Sequence, residues 1–311
     1  MHNEELFNHP YLICDEKDQG LKTKGICIFN GVQVSEPFTV GPITIRPFNK
    51  DTDHFPEGIR RDLQYSVLEL SYIDRASAMS MYAEPMWVQE TTFKAIQLMV
   101  NSWAGISLIY HFRETGEQVG GASGSTRFET ADTESVHAGA ILAVTEENKD
   151  LFKIAFWACF GDMKHAISRH SRACSEIKDE SILDFVIALE ATLGYKLNSE
   201  IAHRLASRGA FLLGVDPTVR EKYYCIFKAI YNIRSHIAHG DVATSKVPEA
   251  FVDAITTLGY WSGDWSKEID LFRIRYIADV ARQVTRQVLL KFIEKPELLN
   301  EEALLKLELG L

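Results

Sequence analysis

The sequence predicts an α+β N-terminal domain followed by an all-α helical bundle. Three observations carry this. Up to residue 146 the apolar residues come in short runs divided by turn pairs such as Asn30-Gly31 and Gly41-Pro42, the pattern of half-buried strands. From Asn148 onward they recur at three- and four-residue steps, the stripe of amphipathic helices. Charge divides the same way: of 33 Lys/Arg and 43 Asp/Glu, residues 1–150 hold 12 and 22, and residues 151–311 hold 21 of each. The front half therefore carries the whole net charge of −10, and residues 153–246, with 13 basic and 10 acidic side chains, are locally positive.

Taken in order, Ile26–Phe29 and Val32–Val34 flank Asn30-Gly31 and predict a hairpin. Phe38–Val40 and Ile43–Ile45 form a second pair across Gly41-Pro42. Ser66–Tyr72, Gly105–Phe112 and Ile141–Val144 read as further strands, mostly antiparallel, and Glu90–Trp103 has helical spacing. The glycine-rich run Gly120–Thr126 admits a phosphate loop, but it lacks the signature lysine and no helix opens after it, so a loop is expected.

Lys149–Cys174 reads as one long helix, with Leu151, Ile154, Ala155, Ala158, Phe160 and Met163 turned inward. Asp179–Leu193 follows, with Ile182, Phe185, Val186 and Leu189 inward and Gly194 behind it. Ser199–Leu213 ends at Gly214, and Asp216-Pro217 opens a helix running to His239. Val247–Leu258, an aromatic loop through Trp261 and Trp265, and Glu268–Ile293 complete four main helices. The expected division is 1–146 for the α+β domain, 147–296 for the bundle and 297–311 for an acidic helical tail.

Five cysteines without a C-x-x-C pair, and no signal sequence at the start, predict reduced thiols in a cytoplasmic protein. No run is long enough for a membrane helix, so no membrane partner is expected. No cofactor is called for.

The chemistry gathers near the end of the central helix, in Tyr231-Asn232-Ile233-Arg234-Ser235-His236-Ile237-Ala238-His239-Gly240. Asn232, Ser235, His236 and His239 fall at i, i+3, i+4 and i+7, and Gly240 sits where a helix stops. Arginine keeps its charge at neutral pH and its forked donors fit a phosphate. Histidine moves protons near neutrality. Together they suit transfer within an RNA phosphodiester. The competing readings are a bundle ion pair from Arg234 to Asp184 or Glu190, and a metal held by His236 and His239 with Asp241 as the sole nearby third ligand. Arg234 and His239 lie about 140° apart around an ideal helix, so two copies meeting near a two-fold axis would form a better site than one. Trp261 and Trp265 fit either base stacking or a plug on the core.

Three ordered blocks resemble the HEPN superfamily (higher eukaryotes and prokaryotes nucleotide-binding), in its Apea-like branch. They are Asp184–Glu190, Arg204–Gly214 and Tyr231–Gly240, the last matching that superfamily's Arg-x4-His motif with Arg234 and His239. The resemblance covers about 150 residues of the back half. It implies a HEPN-type helical bundle that forms a homodimer, and a metal-independent endoribonuclease of toxin–antitoxin or antiviral defence with RNA as substrate and an antitoxin or regulatory protein as partner. It makes Arg234 and His239 the catalytic pair. Asn232, Ser235, His236 and Arg208 are secondary substrate-binding candidates, while Glu190, Arg204 and Arg208 also read as structural ion pairs. Many active members carry Asn, Asp or His after the arginine, where this chain has Ser235. The alternative is a non-catalytic RNA- or protein-binding module of the same bundle.

Overall fold

The computed structural model describes residues 21–30, 32–40, 43–49, 65–74, 83–100, 105–113, 118–122, 140–141, 143–175, 179–197, 199–239, 247–268 and 270–310. The chain forms two compact units, Met1–Trp157 and Ala158–Leu311. The division falls within the segment expected to be the first bundle helix, rather than at 146/147.

In the first unit the strands β1 (Leu21–Asn30), β3 (Phe38–Val40), β4 (Ile43–Pro47), β5 (Tyr65–Asp74), β6 (Gly105–Arg113) and β7 (Gln118–Ala122) form one sheet, ordered β3-β4-β5-β1-β6-β7. Every neighbouring pair is antiparallel. The β3–β4 pair is the expected one, with Phe38 opposite Ile45. Strict alternation buries Phe38, Val40, Ile43 and Ile45 on one face. On the other face Arg46 of β4 reaches Glu69 of β5 at 2.6 Å.

The Asn30-Gly31 hairpin does not form. β2 (Val32–Gln33) instead pairs in parallel with β8 (Ala140–Ile141). The reason is that β1 is occupied on both edges, by β5 and by β6, and offers β2 no free ladder. Gly120 and Gly121 belong to β7, and residues 123–126 of the glycine-rich run lie outside the described residues. Helix α1 (Ala83–Met99) buries Phe93, Ile96 and Met99. Helix α2 (Glu146–Ala158) buries Phe152, Ala155 and Phe156 and brings Phe152 edge-on to Phe38 of β3, ring centroids 5.7 Å apart.

The single helix expected over Lys149–Cys174 is therefore two. A turn at 159–163 separates α2 from α3 (Lys164–Ser175). Ala155 and Met163 are buried as expected, whereas Ile154 and Phe160 are exposed. The apolar periodicity runs through the break, with Phe152, Ala155 and Phe156 buried before it and Met163, Ala166 and Ile167 after it.

The second unit holds α3, α4 (Asp179–Thr192), α5 (Ile201–Leu213), α6 (Pro217–Ala238), α7 (Glu249–Thr257), α8 (Asp270–Glu294) and α9 (Glu301–Leu309). Ile182, Phe185, Val186 and Leu189 of α4 are buried, as their spacing requires. Asp216 caps α6 by accepting from the Val219 N–H at 3.0 Å, with Pro217 in the first turn. α5 and α6 cross so closely at Gly209 that an added Cβ would sit 2.4 Å from the Phe227 ring. The tail is not a loose appendage. Leu304 of α9 is fully buried, and Glu308 accepts from Arg204 at 2.9 Å and from Arg208 at 3.1 Å.

No helix among the described residues is long and apolar enough to cross a membrane.

Candidate nucleic-acid site

Helix α6 presents the motif. Ile226, Phe227, Ala229, Ile230 and Ile233 face the core and fix its rotation. That rotation sets Arg234 on one flank, beside Tyr231, and Asn232, His236 and His239 on the other, with Ser235 on the outer side between them. Asn232 and His239 are exposed; Ser235 and His236 are half-buried. His239 is the residue after the last helical turn, and its N–H still reaches the Ser235 carbonyl at 3.2 Å. The helical spacing therefore persists to His239, and it stands about 140° around and about 7.5 Å along the axis from Arg234.

Arg234 is 34 % exposed. Its Nη2 lies 4.0 Å from Glu190 Oε1, too far for a hydrogen bond, and its guanidinium carbon lies 5.8 Å from the Tyr231 ring centroid. Burial, then the Glu190 charge and a hydrogen bond to Glu190, push the Tyr231 phenol up, so its hydroxyl stays a donor to that carboxylate. Glu190 thus steers Arg234 from a distance while holding Tyr231. The other carboxylate expected near Arg234, Asp184, is committed elsewhere: it accepts from Arg169 at 2.9 Å and pairs with Arg172 at 2.8 Å.

Arg208 does not belong to this surface. Its side chain is 2 % exposed, and it donates to the Leu193 carbonyl at 2.7 Å and to Glu308. Arginines four apart on a helix look alike in sequence whether they face solvent or a distant carboxylate; here the carboxylate decides. Arg204, 27 % exposed, shares the same partner.

Trp261 and Trp265 act as a plug. Trp261 packs on Tyr276 at 4.2 Å and Trp265 on the buried Phe251 at 6.3 Å. His203 shares a hydrogen bond with the Tyr224 hydroxyl at 2.9 Å, and His170 is buried against Phe185 and Cys174. Asp241 and Gly240 lie outside the described residues. Among the described residues no group of three or more His, Cys, Asp and Glu side chains is gathered to hold a metal ion.

Helix α3 lies outside the motif, yet it carries Arg169 and Arg172 and contains no acidic residue, a signal present in the sequence itself.

Comparison with family models, with curated proteins and with solved structures finds no match.

Proposed function

We propose that this chain is a metal-independent RNA-cleaving protein of the HEPN type, acting as a homodimer with Arg234 and His239 as its catalytic pair. The observation that carries the reading is that neither side chain is sealed in the bundle: Arg234 is partly exposed and only loosely engaged by Glu190, and His239 is exposed at the helix end. A phosphate brought there meets the negative end of the α6 macrodipole, so a fixed cation is needed to offset it. Arg234 supplies that cation.

In the reaction the ribose 2′-oxygen bonds to phosphorus as the bond from phosphorus to the 5′-oxygen breaks. His239 takes the 2′-hydroxyl proton while water protonates the departing 5′-oxygen, or gives its own proton to the 5′-oxygen while water takes that of the 2′-hydroxyl. Arg234 stabilises the charge that grows on the phosphoryl oxygens. The products are a 2′,3′-cyclic phosphate and a 5′-hydroxyl. Because the two side chains diverge around α6, the pair at one phosphate is Arg234 of one copy and His239 of its twin.

Incubating the protein with RNA in excess EDTA tests this. Fragments ending in 2′,3′-cyclic phosphate are expected, and their persistence in His239→Ala would sink the assignment. A non-catalytic module is favoured by one observation, the Glu190 charge beside Arg234. It predicts RNA or protein binding without cleavage and unchanged binding in His239→Ala.

A further inference from the structure

We infer that the outer face of α3 is a phosphate-contact surface for the backbone of single-stranded RNA, separate from the Arg234–His239 pair. The choice of polyanion rests on the RNA-cleaving reading. The surface itself rests on α3.

Helical spacing puts Lys164, His165, Ser168, Arg169 and Arg172 on one side of α3, within an arc of about 140°. Ala166, Ile167, His170, Ala173 and Cys174 occupy the other and are buried. The solvent face therefore carries three permanent cations and an imidazole, with no acidic residue anywhere in the helix. Lys164 stands in the first turn, where the helix dipole disfavours a cation. Helix stability does not ask for it there.

The arginines are positioned rather than loose. Asp184 of α4 is only 8 % exposed, and it takes Arg169 Nη1 on one oxygen at 2.9 Å and Arg172 Nε on the other at 2.8 Å. One negative charge thus braces two positive ones, so a net cation remains. Arg172 is engaged through Nε, and its side chain is 71 % exposed, so its two-nitrogen end is presented to solvent. A carboxylate that braces one edge of a guanidinium leaves the other edge set for a phosphate at low entropic cost.

The placement also suits a strand leading to the proposed site. α4 carries Asp184 toward α3 and, six residues on, Glu190 toward Tyr231 and Arg234. Six residues span about 9 Å of helix. Between them Leu183, Ile187 and Ala191 leave a half-buried apolar strip on α4. A backbone held at Arg172 can cross that strip to Arg234 with its bases against apolar surface.

The test is the salt dependence of binding to a mixed-sequence 2′-O-methyl oligoribonucleotide, which lacks the attacking hydroxyl and cannot be cut. Each lost phosphate contact lowers the slope of log K against log salt by about 0.7 for a single strand. Lys164→Gln/Arg172→Gln is expected to lower it by about 1.4 and to weaken binding roughly 25-fold at 0.1 M salt. Asp184 keeps Arg169 as a partner when Arg172 is lost, so the variant should fold, with a lower melting temperature from the lost Arg172 bond. Lys164→Gln alone, at an exposed residue, should lower the slope by about 0.7 with melting unchanged. Lys306→Gln on α9, also exposed, is expected to leave the slope as it was. An unaltered slope in the α3 double variant, or an equal fall in Lys306→Gln, overturns the surface, as does failure of the parent protein to bind. Cleavage by the parent with an unaltered slope refutes this surface alone; a slope change without cleavage refutes the nuclease reading alone.

Discussion

Glu308 links α9 to the bundle, and Glu308→Gln removes that link while keeping its shape. In the native chain Glu308 is 18 % exposed and faces Arg204 at 2.9 Å and Arg208 at 3.1 Å. The amide can still accept one hydrogen bond, but the charge is gone. Arg208, with a side chain 2 % exposed, then keeps only carbonyl partners, Leu193 at 2.7 Å and Tyr195 at 3.4 Å. Stranding one member of a buried pair costs about 3–5 kcal/mol. The partial exposure of Glu308 brings the expected loss to roughly 2–4 kcal/mol. With a urea slope of about 2 kcal/mol per molar, the unfolding midpoint of the bundle followed by circular dichroism should fall by about 1–2 M. Adding Arg208→Met should recover part of the loss, because the stranded charge is then absent. A midpoint unchanged in Glu308→Gln, or a loss no smaller in the double variant, refutes the reasoning. Acid provides a second arm. Burial works to raise the Glu308 pKa, but hydrogen bonds from Arg204 and Arg208 outweigh it and hold the carboxyl below its usual range. A depressed carboxyl stabilises above its unfolded value, about 4.3, and that stability is lost as pH falls through the folded value. Glu308→Gln should lack this loss.

Two further outcomes are expected. If the RNA-cleaving site is shared across a two-fold axis, mixing inactive Arg234→Ala and His239→Ala chains and letting subunits exchange should restore about a quarter of the parent cleavage, since half the dimers are mixed and each has one intact pair; no recovery means that the pair is not shared. His170, its pKa depressed to about 3 by burial and by the charges of Arg282 and Arg286, should make stability fall between pH 6.5 and about 3 by up to ~1.4 kcal/mol per pH unit; His170→Phe should flatten that limb, and an identical acid profile would contradict it.

How much was readable in advance depended on the range of the cause. The start of α6 was readable because Asp216-Pro217 acts within one turn. The rotation of α6, and with it the divergence of Arg234 from His239, followed from spacing alone. Strand pairing did not, since the expected Asn30-Gly31 hairpin was overruled by two strands arriving from far along the chain. The fate of Arg208 turned on Glu308, 100 residues away, which no local pattern can disclose. The helix break at 159–163 was hidden because the apolar periodicity of α2 runs on into α3 across the turn. Asp184 was identified as a partner for an arginine, but the recipients were Arg169 and Arg172.

The central place of β1 has a consequence for how the molecule is made. Its ladder with β5 joins residues 35 to 53 positions apart, from Asn30–Tyr65 to Leu21–Asp74. Its ladder with β6 joins residues 75 to 90 apart, from Asn30–Gly105 to Thr23–Arg113. Such distant closures are slow. On the ribosome Ile26-Cys27-Ile28-Phe29 emerges early and must wait for residue 74 before one edge can be paired and for residue 113 before the other can. In the second unit α3 with α4, α5 with α6 and α6 with α7 pair as sequence neighbours and can form as they emerge, whereas α4 waits for α8 and α5 for α9. Both units therefore hold an unpartnered face during synthesis that a holding chaperone would cover.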